Sequence, residues 1–291
     1  MLDLAFQQVI NGLLVGAIYA LMAMGLMVIL GILRIINMAQ GELYMLGGYF
    51  CYVAVVMLGV GYFPAVILAM VATAGVGMIL DRIAVRPLLR RPFYMVFLST
   101  FAVSMILQNA AELIWGPDPQ AIPSPFSPAP IIIGSIFLTT QKLFIFAAAL
   151  VMIGAFAAFL RFTRVGMAIR ALARDRDAAL LMGIDADRIQ SITFGLGSAL
   201  AAAAGALLGA MFNVYPTMGQ LPLLKGFALV VMGGMGSVVG VFVSGLILGV
   251  AEGLTAGFIS TGYVDMVAFV TMLVVLMVHP EGISQWGKSR A

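Results

Sequence analysis

The sequence predicts an all-α fold: a polytopic integral membrane helical bundle of about eight to nine spans, one of them short or broken, with the N-terminus outside and the C-terminus inside. Three observations predict it. The 291 residues are 63% hydrophobic and 9% charged, with a mean hydropathy of +1.13, whereas soluble domains carry about 25% charge. Apolar runs of about 20 residues recur, each long enough to cross a ~30 Å hydrocarbon layer as a helix that satisfies its own backbone. The charges are gathered into a few short segments between those runs. A β-barrel would need short alternating segments instead, and a soluble enzyme would have no core large enough for so much apolar surface.

In chain order, span one covers Gln8 to Leu30 and is followed by Arg34. Met1-Leu2-Asp3-Leu4 lacks the basic residues of a cleavable signal, and the first apolar run is too long for one. Span two covers Ile36 to Leu58 and span three Tyr62 to Leu80; a basic loop, Asp81 to Pro92, holds Arg82, Arg86, Arg90 and Arg91. Span four runs from Phe93 to Trp115. Gly116 to Pro130 holds six of the chain's 12 prolines; proline lacks the amide hydrogen and blocks helix, so this segment is an extended surface lip, with Asp118 as its one charge. Span five runs from Lys142 to Leu160 and span six from Ile189 to Phe212. Asn213 to Pro222 is a polar turn, and the short apolar stretch Leu223 to Met232 ends at Gly-Gly-Met-Gly-Ser (233–237), which predicts a half-length or tilted helix. Span eight runs from Val238 to Phe258 and span nine from Tyr263 to Val278, with the tail starting at His279-Pro280. No repeat shows at a fixed period.

Orientation follows from the rule that cytoplasmic loops carry the excess of Lys and Arg. An external N-terminus puts Arg34, both basic loops and the tail inside, which is thirteen of the 15 basic residues; Lys142 and Lys225 remain on or near the outside. Trp115 and Trp286 then fall at opposite boundaries.

Between spans five and six lies Arg161 to Gln190, which holds six of the 15 basic and four of the 12 acidic residues. A charged island between membrane spans must stand in water. Arg170 and Arg174 share a helix face, Asp177 is placed to cap a short second helix, Gly183 fits a left-handed helix stop, and Asp185 can cap span six. The island reads either as a solvated loop or as a docking handle through which an external protein moves the spans. Apolar Ile169, Leu172, Leu180, Leu181 and Met182 favour docking. Arg164, Arg170, Arg174, Asp175, Asp177 and Gly183 are its candidate coupling residues.

Polar groups within spans mark either a pathway or helix contacts. Asn37, Gln40 and Glu42 open span two beside Gly41, Gly47 and Gly48. They are read as an interfacial turn, with Glu42 near water or paired to Arg34, or as a gate or pathway lining. Gln108 and Asn109, with Glu112, form a wetted mouth or helix-to-helix hydrogen bonds. Glu252 and Asp265 read as lone interfacial carboxylates. Gly197, Ala201, Gly205 and Gly209 recur every fourth residue in span six, as do Gly245, Gly249, Gly253 and Gly257 in span eight. Each series makes a groove of near-bare backbone on one helix face, for static packing or for sliding. The single cysteine, Cys51, excludes an internal disulfide and a multi-cysteine metal site, and neither His279 nor any other group suggests metal binding. Gly282 to Ser289 formally matches a phosphate loop, but a membrane helix precedes it where the loop chemistry needs a strand, so nucleotide binding is not expected; nor is nucleic acid.

Ile-Asn-Met-Ala-Gln-Gly-Glu-Leu-Tyr-Met-Leu-Gly-Gly-Tyr (36–49), Leu107 to Pro119, Gly166 to Asp185 and the 233–237 turn resemble the branched-chain amino acid ABC importer permeases, of the type paired with a second, different permease. The likeness spans nearly the whole chain; His279 stands where the family often has Arg before Pro280. The resemblance implies one transmembrane permease domain, 1–291, in a bacterial inner membrane. It also implies a second permease subunit, two cytoplasmic ATPase subunits that hold ATP and Mg, and a periplasmic substrate-binding protein. The chain itself would hold no cofactor. The segment 161–190 would dock in an ATPase groove, and the lip 116–130 would face the binding protein. Urea and short-amide importers share the family. A self-sufficient secondary transporter or channel is the rival from another class, and it would need an ion-coupling cluster in midplane.

Overall fold

In the computed structural model six helices among the described residues are long and apolar enough to cross a membrane. The structure describes residues 2–33, 35–89, 91–123, 126, 130–133 and 136–278. Arg34, Arg90, part of the lip, and the tail from His279, with its phosphate-loop-like stretch and Trp286, lie outside the described residues. The helices are α1 (Leu2–Leu33), α2 (Gln40–Tyr52, prolonged by a π-turn Val53–Met57), α3 (Tyr62–Leu80, prolonged by a π-turn Asp81–Val85) and α4 (Phe93–Trp115). After a two-stranded antiparallel hairpin, β1 (Pro130–Ile133) and β2 (Ile136–Thr139), come α5 (Thr140–Phe162), α6 (Arg164–Arg174), α7 (Arg176–Leu181) and α8 (Ala186–Phe212). The chain continues through α9 (Gln220–Gly233), α10 (Val238–Phe258) and α11 (Val264–Val278). The chain is thus a multi-pass, helical membrane protein. The six long helices are α1, α3, α4, α5, α8 and α10, while α9 and α11 are shorter apolar helices.

Close backbone approach decides the centre. A Cβ on Gly12 or Gly249 would strike the other residue's carbonyl, and one on Gly16 would strike the carbonyl of Gly245. The span-eight stripe therefore meets a matching stripe in α1, and Gly253 meets the backbone of Gln8. The stripe in α8 serves two partners: Gly197 packs on Gly25 of α1, whereas Gly205 packs on Tyr44 and Gly209 lies near Gly48, both in α2. With no hydrophobic force between helices in lipid, such contact supplies the dispersion energy that holds them. α1 and α8 bury 78% and 83% of their most apolar stretch, against 11% for α4, so the first two form the core and α4 the rim.

α2 and α9 begin deep in the bundle. Gln40, the first residue of α2, donates to the carbonyl of Gly197 at 3.0 Å. Gly197 lies eleven residues into α8, about 16 Å along it from Ala186 at 1.5 Å per residue. The described residues 35–39 of the connection from α1 are non-helical, with Ile35, Asn37 and Ala39 buried. Non-helical backbone survives at depth only where protein satisfies it. Here Asn37 Oδ1 accepts from the amide of Ala39 at 3.1 Å, and Thr100 Oγ1 accepts from that of Met38 at 3.2 Å. α9 is introduced likewise by the descent 213–219, which starts at Asn213 with a φ of 69°. The two half-helices meet where Gly41 lies against Gly219.

These pairings expose a repeat. α1 runs antiparallel to α10 and α8 antiparallel to α3, while half-helix α2 lies on α8 and half-helix α9 on α1. The end of α8 returns beside the start of α1, at Asn11 and Leu14 near Met211 and Phe212, so the two long helices point in opposite senses. The units α1–α4 and α8–α11 therefore have the same order with inverted direction, as in transporters built on an in-plane pseudo-two-fold axis.

The seam makes a direct prediction. Gly249→Val places carbon on the Gly12 carbonyl and should destabilise the bundle by about 1–3 kcal/mol or more. Gly154→Ala, which meets nothing within 4 Å, should be neutral or slightly stabilising. Thermal unfolding in detergent, followed by size-exclusion chromatography, compares the two; equal midpoints would contradict the seam.

Candidate functional site

Three places gather polar chemistry: the break before α2, an ion cluster beside α9, and one end of the bundle carrying the island.

At the break, Asn37, Gln40 and Glu42 are 2%, 0% and 2% exposed, so they do not form an interfacial turn. Asn37 Nδ2 donates to Gln40 Oε1 at 3.3 Å, and Gln40 spends its amide group on α8. Glu42 accepts from Ser104 Oγ of α4 at 3.0 Å, while its second carboxylate oxygen has no partner among the described residues. Asn37 and Gln40 thus hold the break together, and Glu42 is the member with unspent capacity. Gln108 of α4 accepts from Gln220 of α9 at 3.3 Å, which bridges the rim helix to the second half-helix; Asn109 is exposed and donates back to the carbonyl of Met105 at 2.7 Å.

The ion cluster was not foreseen. Lys225, read from sequence as near the outside, is 5% exposed, and Glu252 is 6% exposed. Lys225 Nζ lies 2.9 Å from Glu252 Oε1 and 2.9 Å from Asp265 Oδ1. It also donates to the Tyr19 hydroxyl at 3.5 Å, 5.0 Å from that ring's centroid. Glu252 and Asp265 are therefore not lone interfacial groups. Their partner comes from a third helix, and a buried ammonium demands such partners because its isolated burial costs several kcal/mol. The available signal was a lysine inside a stretch too apolar and too short to leave it in water.

The end of the bundle bearing the island is built by side-chain caps. Thr163 Oγ1 accepts from the amide of Gly166 at 2.9 Å to start α6, and Asp185 accepts from that of Arg188 at 3.1 Å to start α8. The cap of α7 is Asp175, accepting from Ala178 at 3.0 Å; Asp177, expected to cap, lies in the first turn, where its charge still opposes the helix dipole favourably. Gly183 adopts a φ of 79°, the left-handed stop expected of it. Ile169 and Leu172 are buried within the chain rather than facing water. Leu180, Leu181 and Met182 are exposed, Leu181 by 89% and Met182 by 83%. Arg164, Arg170 and Arg174 stand along α6, and Arg170 donates to the carbonyl of Arg161 at 3.3 Å.

The first basic loop joins this end. Asp81, fully buried at the π-turn after α3, pairs with Arg86 at 3.2 Å and accepts short hydrogen bonds from Gln190 and Ser191 of α8. Arg86 also donates to the carbonyl of Asp187 at 2.8 Å. This clamp fixes the end of α3 to the start of α8, directly after the island. At the opposite end, the lip is pinned rather than free: Gln120 and Val214 exchange backbone hydrogen bonds of 2.8 Å, and Ile122 is buried. Gln7 of α1 bonds both backbone groups of Phe137 in β2, and Lys142 donates to Asn11 at 3.2 Å.

Residues 8–276 match the family described as branched-chain amino acid transport system / permease component. The high-affinity branched-chain amino acid transport system permease protein LivH of Salmonella typhimurium is 37% identical over 295 aligned residues, covering 95% of this chain and 94% of that one. LivH of Escherichia coli K12 is 36% identical with the same coverage. The permease BraD of Pseudomonas aeruginosa is 35% identical over 291 residues, again covering 95% and 94%. On a match that spans almost the entire chain, the protein belongs to the branched-chain amino acid transport permease family.

Proposed function

We propose that the chain is one of two different permease subunits of an ABC importer that carries branched-chain amino acids across a bacterial inner membrane. The nearly full-length likeness to LivH and BraD supports the substrate class. One observation of the structure carries the mechanism: a charged helical elbow, α6–α7, holds its apolar tip Leu180 to Met182 outward while Ile169, Leu172 and Ala179 are buried and side-chain caps start α6 and α8 at its two ends. An exposed apolar tip on a charged, water-facing element is what a partner protein would cover. The partner would be a cytoplasmic ATPase, two copies of which would hold the ATP and Mg. The positive-inside rule sets the elbow in the cytosol with the N-terminus outside. The lip and hairpin would then face a periplasmic binding protein, and the nine apolar segments would be read as spans with α2 and α9 as half-spans.

Closure of the ATPase pair would press on α6–α7. The push would reach α8 directly, through Asp185 and the first turn, and α3 through the Asp81–Arg86–Ser191 clamp. α3 and α8 belong to opposite repeats, so a shared clamp lets one force move both halves. Coupling then amounts to a bias between two packings of the same helices.

Two outcomes are expected. Leu181→Asp with Met182→Asp should strip the ATPase subunits during purification and cut ATP-driven leucine uptake by roughly tenfold or more, the effect of losing at least about 1.4 kcal/mol at an interface; retained co-purification would refute docking at this tip. Arg86→Met leaves Asp81 with Gln190 and Ser191 alone. ATPase subunits should still co-purify, but the leucine taken up per ATP hydrolysed should fall. An unchanged ratio would mean that the clamp transmits nothing.

A further inference from the structure

The ion cluster opens onto a cleft of about 430 Å³ between the start of α9, the middle of α1 at Tyr19, Tyr44 of α2, the end of α8 and the first turn of α11. This size falls in the range of small-molecule sites. Its walls divide by chemistry. Leu208, Phe212, Met218 and Leu221 are apolar. On one side, Lys225 Nζ lies 2.9 Å from both Glu252 Oε1 and Asp265 Oδ1 and donates to the Tyr19 hydroxyl. One cation between two carboxylates leaves one negative charge in surplus. The side chain of Glu252 is 7% exposed and that of Asp265 51%, so the surplus is presented to the cleft on Asp265. On the other side, Thr217, Met218 and Leu221 bring the N-terminal end of the 14-residue helix α9 to the cavity, where Pro222 has no amide hydrogen and Gln220 and Leu223 donate to Thr217 and Gly219, so the amide of Leu221 and the helix dipole are what favour an anion. Tyr44, only 3% exposed, lines the same cavity, and its hydroxyl makes no hydrogen bond among the described residues.

We infer that this cleft receives the transported amino acid as a zwitterion, its ammonium on Asp265, its carboxylate toward Tyr44 and the start of α9, and its aliphatic side chain against Phe212, Met218 and Leu221. The inference rests on the branched-chain reading above and assigns that reading a site. Lys225 does not touch the ligand. It is a positioning residue that holds Asp265 in place and fixes the cluster at a net charge of −1. A neutral urea or short amide has no ammonium to place on Asp265, so the arrangement separates the two substrate classes.

The test uses the chain's single cysteine, Cys51, which is buried. In a Cys51→Ala background, Thr217→Cys reports on this cleft. Thr139→Cys reports on a separate outer cleft lined by Asn11, Thr139 and Lys142. Right-side-out vesicles carrying the whole transporter are treated with a methanethiosulfonate reagent, and modification of this chain is read by mass spectrometry. L-Leucine at ten times its half-saturating concentration should slow labelling at Thr217→Cys about tenfold and leave Thr139→Cys unchanged. Asp265→Asn should remove the protection. Should Thr217→Cys fail to assemble, Met218→Cys reports on the same wall. Unprotected labelling at this cleft in vesicles that take up leucine overturns the site while leaving the transport reading intact. Vesicles of the unmodified chain that take up no leucine, isoleucine or valine overturn the transport reading itself.

Discussion

A peptide group in hydrocarbon has nothing to bond to except other protein, and the whole arrangement of this chain follows from that. Two helices are broken at depth, before Gln40 and before Gln220, and each break strips several amides and carbonyls of their helical partners. The breaks persist because long helices close over them at backbone distance. Gly25 against Gly197, Gly205 against Tyr44 and Gly41 against Gly219 leave no room for lipid to enter, and Asn37, Gln40 and Thr100 supply the missing bonds from within. The glycine seams and the buried polar groups are one device. Without close approach the polar groups would face hydrocarbon, and without the polar groups the approach would cover unsatisfied backbone.

Much of this was legible in the sequence. Helix limits at Tyr62 and Leu80, Phe93 and Trp115, and Val238 and Phe258 were read from hydropathy and punctuation alone and agree with the structure to the residue. Gly183 and Asp185 do what their types predict, because helix stops and caps are decided by a few neighbouring residues. The stripes in α8 and α10 were also visible, since periodicity four lies within one helix. Their partners were not: Gly12 and Gly16 make too short a series to stand out, and nothing local says that α10 rather than α2 lies on α1.

What sequence reading missed has a common physical cause. The inverted repeat is a property of which helix lies on which, and lipid-facing side chains can vary freely beneath it. α2 and α9 share Gln40 with Gln220 and Leu43 with Leu223, and little else. The ion cluster unites Tyr19, Lys225, Glu252 and Asp265 from four helices, so no spacing rule could assemble it. The misplaced cap shows a subtler limit. Asp175 and Asp177 are both acceptable caps, and the choice falls on Asp175 because Arg174 ends α6 and the chain is already extended at 175.

The repeat also explains why charge appears where it does. Each half-helix carries one acidic or basic residue in its deep half: Glu42 on α2 and Lys225 on α9. Each group leans on the rim helix of its own repeat, Glu42 on Ser104 of α4 and Lys225 on Asp265 of α11. Burying an unpaired charge would cost more than such a helix could return by packing, so the rim helices α4 and α11 are bound to the core through polar contacts where apolar contact is thin. That makes the rim sensitive to the state of the half-helices. Under the proposed coupling, a force that entered at the island and shifted α8 against α1 would displace the half-helices resting on those two in opposite directions by symmetry, and would strain the polar contacts to α4 and α11 first. Inverted construction would thus turn a push at one end of the molecule into opposed movements about its middle, where the breaks and the cleft lie.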